Sequence, residues 1–336
     1  MISEAVDTRP KVEQERQSQI YVMKFGGSSV GNAQAIEETV RFIDDYQKDS
    51  RQTVVVVSAM NGITDQLVNV CSLLEERRPE VELLGVVCNI RARHMEVVSK
   101  LNLPLETRSC LERQLDFLFF CLGEDMAYCD ELTLQKKDSI LAYGERLSAK
   151  IVAAKLSETN KTTVVDSAYI IKTDDQFSNA NVDRDITQVN ARKILDPLLK
   201  AGFIPIVTGF SGSTSSGQIT TLGRNSSDYS AAILGRVLNA REVWICKGVK
   251  GIYRIDSDNQ FVEEDEYLIP SMTKHQADYF LQTFGDKPLC LKAVSELIDY
   301  PNTALRVRGV SVIEHEGTII GNKTCIFSTN GRRGKI

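Results

Sequence analysis

The chain has 336 residues, 42% hydrophobic and 25% charged, which is enough apolar material for a sizeable core and about two domains. Its 40 Lys and Arg against 45 Asp and Glu leave a formal charge of −5, so no basic excess is available to neutralise a nucleic-acid backbone, while a local basic pocket for a small anion stays open. No run of about 18 apolar residues is present to cross a membrane, and the N-terminus lacks the apolar core of a signal peptide.

Residues 1–19 are polar and charged and read as a flexible tail. Ile20 to Phe25 is a short apolar run with Lys24 embedded in it, predicted to be a strand that ends at Gly26-Gly27. A helix is predicted next, with Ile36, Val40 and Ile43 on one face and Asn32 as N-cap. Thr53 to Met60 follows, and its four consecutive valines predict a strand buried on both faces. The opening is therefore a βαβ unit. Residues 65–157 read as mostly helical, a subdomain laid over the first lobe, with Leu147, Ile151 and Ala154 sharing a face. Further strands are predicted at residues 164–166, 203–209, 242–246, 304–308 and 324–328. Helices are predicted at Asp228 to Leu238 and Leu291 to Ile298. This alternation predicts an α/β fold with a largely parallel sheet. The lobe boundary is expected near residues 195–202, giving lobes at 20–200 and 201–336. The eight cysteines form no C-x-x-C pair and the three histidines are scattered. Neither a zinc site nor a disulfide framework is expected, and free thiols in a cytoplasmic, reducing compartment are.

Four segments carry chemistry. In K-F-G-G-S-S-V (Lys24 to Val30), a lysine at a strand end meets two glycines and two serines before a helix. Backbone N–H groups there can approach a polyanion, and the lysine supplies a mobile positive charge; a plain tight turn with a solvated lysine is the competing reading. In T-T-L-G-R-N-S-S-D-Y (Thr220 to Tyr229), Gly223 permits a sharp turn, Arg224 offers a fork for a carboxylate, and Asn225, Ser226 and Ser227 offer short polar groups. Asp228 then stands in the first turn of an apolar helix, either near a transferring phosphate or simply favouring the helix dipole. In Y-G-E-R-L-S (Tyr143 to Ser148), Glu145 either holds a ligand ammonium, lies on a solvated face or pairs with Arg146. In the loop Ala59 to Asp65, Thr64 either donates to a ligand or caps the next helix.

In this order the segments K-F-G-G-S-S-V, S-A-M-N-G-I-T, Y-G-E-R-L-S, G-F-S-G, T-T-L-G-R-N-S-S-D-Y-S-A-A, G-V-K-G-I-Y and F-G-D-K, over about Val22 to Lys287, resemble the catalytic domain of aspartate kinases within the amino-acid kinase superfamily. The resemblance implies a three-layer αβα sandwich with an N-terminal amino-acid lobe and a C-terminal nucleotide lobe. It implies ATP-dependent phosphorylation of the side-chain carboxylate of L-aspartate with Mg2+ as cofactor and no metal site built from the chain's own residues. Lys24 and Asp228 would be catalytic. Ser58, Thr64, Glu145, Arg224, Asn225, Ser226 and Ser227 would hold the amino acid, with Glu145 at its ammonium and Arg224 at its α-carboxylate. Lys24, Gly26, Gly27, Ser28, Lys247, Gly248, Tyr253, Asp258 and Lys287 would hold the nucleotide. A homodimer is implied, with no nucleic-acid or membrane partner.

The chain departs from the family pattern on the nucleotide side. Where the family reads T-D-V-x-G, it has K-G-V-K-G (Lys247 to Gly251); where the family has D-P-R, it has Asp256, Ser257 and Asp258, with Arg254 or Lys247 left to compensate; and K-V-L-H-P becomes Lys287 to Leu291. Altered nucleotide binding or weak activity is expected. The chain also ends near the kinase region, without the tandem ACT domains usual in the family. No feedback inhibition by lysine or threonine is therefore expected within it, and a separate regulatory subunit is one arrangement that would supply it. Two other functions compete: a kinase for another amino-acid carboxylate or carbamate, and a non-catalytic ligand-binding homologue.

Overall fold

Alternation along the first strand sets the layout. In β1 (Ile20–Phe25), Tyr21, Met23 and Phe25 turn to one face of the sheet, and Val22 and Lys24 to the other. α1 (Ala33–Gln47) follows, its first turn capped by Asn32 Oδ1, which accepts from the Ala35 N–H at 2.9 Å. β2 (Gln52–Val57) repeats the alternation: Val55 and Val57 join the cluster with β1's aromatic face, while Val54 and Val56 join the opposite one. Full burial of such a side chain is worth about 1.5–3 kcal/mol, which is why a run of four valines becomes a central strand. The strand stops at Val57, three residues short of the expected Met60, and Ser58 to Met60 form a loop instead. The computed structural model describes residues 19–47, 51–127, 131–254, 264–285, 288–310 and 316–322. The expected tail, apart from Gln19, and the expected strand at 324–328 lie outside these.

Five helices come next: α2 (Ile63–Glu75), α3 (Glu80–Lys100), α4 (Leu105–Ala127), α5 (Leu134–Leu141) and α6 (Tyr143–Leu156). They are the helical stretch expected from about residue 65 to 157. β3 (Lys161–Val165), β4 (Lys172–Thr173) and β5 (Val182–Asp183) lead into α7 (Arg184–Lys200). β6 (Phe203–Thr208), β7 (Ser211–Ser213), β8 (Ile219–Thr221), α8 (Ser227–Val237) and β9 (Glu242–Lys247) follow. The described chain closes with β10 (Ser271–Thr273), α9 (Lys274–Phe284), α10 (Leu291–Leu297), β11 (Ala304–Gly309) and β12 (Thr318–Gly321).

The main sheet has eight strands in the order β10-β12-β11-β9-β1-β2-β6-β3, parallel throughout except between β11 and β12. Helices α1 to α6 contribute to the hydrophobic cluster on one face, and α7 to α10 to the cluster on the other. The result is the expected αβα sandwich. β1 runs on to β2 on one side, while the chain returns to its other side only at β9. That reversal of direction opens a crevice beyond the C-terminal ends of β1, β2 and β9. A second sheet, β5-β4-β7-β8, has strands of only two or three residues, too short for periodicity to reveal. Among the described residues no helix is long and apolar enough to cross a membrane, and the six described cysteines form no disulfide.

Candidate active site

A cleft of about 880 Å³ lies in that crevice. Its floor is an ion triad. Lys24 Nζ stands 2.7 Å from Asp228 Oδ1, and Lys247 Nζ donates to Asp228 Oδ2 at 2.8 Å. Lys24 reaches there because the two-residue period of β1 turns it toward α8, and Lys247 because it ends β9 beside it. Burial would push the Asp228 carboxyl up, but the two ammonium groups outweigh it and hold it below the usual carboxylate range. Asp228 is therefore tied into the cleft by two cations, well beyond what a dipole-favouring residue in the first turn of a helix needs.

Backbone donors surround this triad. Gly26, Gly27 and Ser28 line the cleft. A Cβ on Gly27 would come within 2.9 Å of the Ala59 carbonyl, so only glycine lets the β1 and β2 loops close together. α8 and α2 begin at the cleft without side-chain caps, leaving their N-terminal N–H groups for an anion. α1 carries the expected Asn32 cap, so part of its N-terminus is already satisfied. Thr64 lines the cleft in the first turn of α2 and does not cap it.

Glu145 enters from α6, 3% exposed, with Ala59 and its own backbone N–H as hydrogen-bond donors. Its Oε2 finds no hydrogen-bond partner among the described residues. Burial pushes its pKa up to about 7, against those hydrogen bonds and the field of Lys24. Arg146 turns the other way and pairs with Asp166 at 2.7 Å, so the neighbouring acid and base are not a pair. The arrangement leaves a buried carboxylate facing the cleft, suited to a ligand cation.

Arg224 sits at the cleft mouth, largely exposed, 3.7 Å from Asp65. Asn225, Ser227, Ser58, Gly248 and Tyr253 also line the cleft. Ser226 does not. It is fully buried, its hydroxyl donates to the Phe210 carbonyl at 3.4 Å, and its role is to seat α8. Arg254 is exposed and does not line the cleft. Asp258 and Lys287 lie outside the described residues.

Reading the sequence missed Lys137, Ser178 and Phe210 in the cleft wall, and Asp138 behind it. Asp138 on α5 accepts four hydrogen bonds, from Ser178 N (2.7 Å), Ser178 Oγ (3.3 Å), Thr221 N (2.7 Å) and Thr221 Oγ1 (2.9 Å). Burial raises its pKa in spite of them. It fastens α5 to the loop before β5 and to β8, and an acid in the apolar stretch D-S-I-L-A-Y was the signal available for it. Ser178, Phe210 and Asn225 all take left-handed backbone conformations (φ 71°, 71° and 58°) in the cleft wall, a concentration of strain typical of binding sites. Asp138→Ala is expected to strand the two backbone donors and lower stability by roughly 2–4 kcal/mol, read as a lower urea midpoint with unchanged slope.

The profile of the amino acid kinase family matches residues 19–296. Aspartokinase 1, chloroplastic, of Arabidopsis thaliana is 31% identical over 242 residues, 70% of this chain and 41% of that protein. Lysine-sensitive aspartokinase 3 of Escherichia coli (strain K12) is 34% identical over 241 residues, 71% of this chain and 51% of that protein. The crystal structure of E. coli aspartokinase III in complex with aspartate and ADP superposes with a TM-score of 0.77 at 28% identity, covering 91% of this chain and 65% of that one. The chain thus spans about half the length of the curated relatives it matches.

Proposed function

The chain belongs to the amino acid kinase family, and from that premise we propose that it transfers the γ-phosphoryl group of ATP to the side-chain carboxylate of L-aspartate. The observation that carries this reading is one cleft holding two kinds of charge: a lysine–aspartate–lysine triad for a polyanion, with Lys24 and Asp228 buried and Lys247 half-buried, and a buried carboxylate with an open oxygen for an ammonium. The similarity to a structure with aspartate and ADP bound supports the same choice of substrates.

In this reading aspartate lies between Thr64, Glu145 and Arg224. Glu145 takes the ammonium and Arg224 the α-carboxylate, with Ser58, Asn225 and Ser227 at its edges. The amino-acid side draws mainly on residues 20–200. ATP runs along Gly26 to Ser28, at the end of the first strand, and along the segment Lys247 to Tyr253, which is supplied from residue 201 onward. The aspartate β-carboxylate oxygen attacks the γ-phosphorus, the bond to the β–γ bridging oxygen breaks, and ADP leaves with that electron pair. A carboxylate is ionised at neutral pH and needs no general base, so the protein's contribution is positioning and charge stabilisation. Lys24 neutralises the migrating phosphoryl group, and Asp228 fixes Lys24 and Lys247 in place.

Magnesium is handled differently. Among the described residues no group of three or more metal-ligating side chains exists, and both oxygens of Asp228 are engaged by lysines. These residues do not build a resident metal site, and the ion belongs to the reaction as part of the nucleotide complex.

The test is ADP release measured across a panel of amino acids, with hydroxylamine trapping of the acyl phosphate. Aspartate-dependent ADP release with hydroxamate formation supports the proposal. Tight aspartate binding without ADP release would favour a ligand-binding homologue, the reading to which the K-G-V-K-G departure lends weight. Lys247→Ala is expected to raise KM for ATP about tenfold, the worth of one charge-assisted hydrogen bond, and to leave KM for aspartate unchanged. Steady-state kinetics with each substrate varied in turn would show it.

A further inference from the structure

α10 opens with a charge in an unfavourable place. Lys292 is the second residue of this helix, and a cation in the first turn opposes the helix dipole. Its ammonium is held by two segments far away in the chain. Lys292 Nζ donates to Asn179 Oδ1 at 2.6 Å and to the Leu222 carbonyl at 2.9 Å, and it lies 5.7 Å from the centroid of the Tyr229 ring. Both acceptors border residues of the cleft wall: Asn179 follows Ser178, and Leu222 precedes Gly223, Arg224 and Asn225. Lys292 itself does not line the cleft. Gly223 has a φ of 98°, and a Cβ there would come within 2.8 Å of Asn179 Oδ1 and 3.3 Å of Lys292 Nζ, so the glycine makes room for the ammonium and its acceptor. Two residues further on, Asn225 takes a left-handed conformation (φ 58°) that its surroundings must hold in place.

We propose that Lys292 is a positioning residue for substrate binding: it clamps the turn 222–225 so that Arg224 presents its guanidinium to the α-carboxylate of the amino acid. This deepens the reading of Arg224 given above and rests on it. The Arg224 side chain is 91% exposed and its ion pair with Asp65 is long, at 3.7 Å, so little at its own tip orients it. Its direction is set by the backbone it hangs from. That backbone enters the turn through three bonds: from the Ala180 N–H to the Thr221 carbonyl (2.9 Å), from the Leu222 N–H to the Phe210 carbonyl (2.9 Å), and from the Lys292 ammonium to the Leu222 carbonyl. Only the last is charge-assisted, and bonds of that kind are the stronger ones. The same ammonium reaches Asn179 and so joins the turn to the neighbour of Ser178, which, with Thr221, is fastened to Asp138. Pro288 and Cys290, from the segment that departs from the family pattern, line the cleft just before the lysine. α10 therefore meets the cleft at its start and steers the Arg224 turn through Lys292.

Lys292→Met keeps the length of the side chain and removes its charge. It is expected to raise KM for aspartate about tenfold, the scale of losing a hydrogen bond from a charged donor, with kcat and KM for ATP unchanged. Lys292→Arg, which still donates to both acceptors, is expected to restore most of the loss. A general disturbance of α10 would behave otherwise, because it would move Pro288 and Cys290 in the cleft wall and change kcat, KM for ATP and the melting temperature together. A second measurement needs no substrate. Native-state hydrogen exchange of the free protein, read by mass spectrometry on peptides spanning residues 222–226, is expected to quicken about tenfold in Lys292→Met and to keep the wild-type rate in Lys292→Arg, with peptides of the main sheet unaffected. Exchange there that is indifferent to Lys292→Met would overturn the clamp, whatever the substrate. Aspartate-dependent ADP release with an unchanged KM in Lys292→Met would overturn its part in presenting Arg224. A wild type inert toward aspartate would overturn the aspartate reading and the ligand assigned to Arg224, while quickened exchange would still uphold the clamp.

Discussion

Lys24→Ala is expected to lower kcat by about 10²- to 10³-fold, the loss typical of removing one preorganised charge partner from a transition state, while KM for aspartate changes little. The argument begins with strand parity. Lys24 is the one cation in β1, and alternation puts it on the α8 face of a sheet otherwise filled by valines there. Burying a lone ammonium in that position is unfavourable, so its presence calls for a counter-charge. Asp228 supplies one at 2.7 Å, and the pair stands on the cleft floor beside open backbone donors. Asp228→Asn is expected to produce a similar loss in kcat and a larger loss of stability, because it leaves Lys24 and Lys247 facing each other without a carboxylate between them. The pH behaviour separates this pair from Glu145. The folded Asp228 pKa lies below its ordinary value of 3.8, so the stability the pair contributes is fully present above that pH and is lost only as pH falls through the lower, folded value. ADP-release kinetics between pH 6 and 8 should therefore show no titration from Asp228, and acid unfolding of the wild type and of Asp228→Asn should differ in onset. A Lys24→Ala enzyme retaining wild-type kcat would remove the basis of the phosphoryl-transfer reading.

How much of this was legible in the sequence depends on whether a residue acts locally or across the fold. The β1, α1 and β2 elements were readable because glycines, an Asn cap and a valine run each state a local preference. The cleft loops from Ser58 to Thr64 and from Gly223 to Ser227 were legible as motifs because glycine and short polar residues cluster there for a backbone reason. Asp138 was not singled out, since its four donors come from Ser178 and Thr221, forty and more residues away in the chain. Lys247 was read as a phosphate ligand; its contact with Asp228 depends on β9 lying beside β1, a pairing of distant segments. Ser226 looked like its neighbours Asn225 and Ser227 but points into the core, because successive residues at a helix start face different directions. The second sheet escaped for want of length.

Glu145→Gln is expected to raise KM for aspartate about 100-fold, the cost of deleting one member of a buried charge pair formed with the substrate ammonium, and to raise the stability of the free protein. The two effects have one cause. The free carboxyl titrates near 7, up from its ordinary 4.5, because burial disfavours its charge more than two backbone hydrogen bonds and Lys24 favour it. A folded pKa above the unfolded one means that the native state holds the extra proton between those values. Stability is therefore complete below about pH 4.5 and declines as pH rises toward 7, by roughly 3 kcal/mol for a shift of this size. Glutamine carries no charge to desolvate, so above pH 7 the variant should melt higher than the wild type and lose the decline. Binding runs in the opposite sense. The substrate ammonium attracts only the ionised carboxyl, so apparent aspartate affinity should be full above pH 7 and fall about tenfold for each unit below it. Between pH 6 and 8 the ammonium and both carboxylates of aspartate keep their charge, which leaves Glu145 as the titrating group. KM for aspartate measured across that range should rise toward acid in the wild type and stay flat in Glu145→Gln. A flat wild-type profile, or a variant that binds aspartate normally, would place the ammonium elsewhere in the cleft. A site residue that weakens the empty fold and is needed only when the substrate arrives is hard to explain as packing, and that opposition of signs is what makes Glu145 diagnostic.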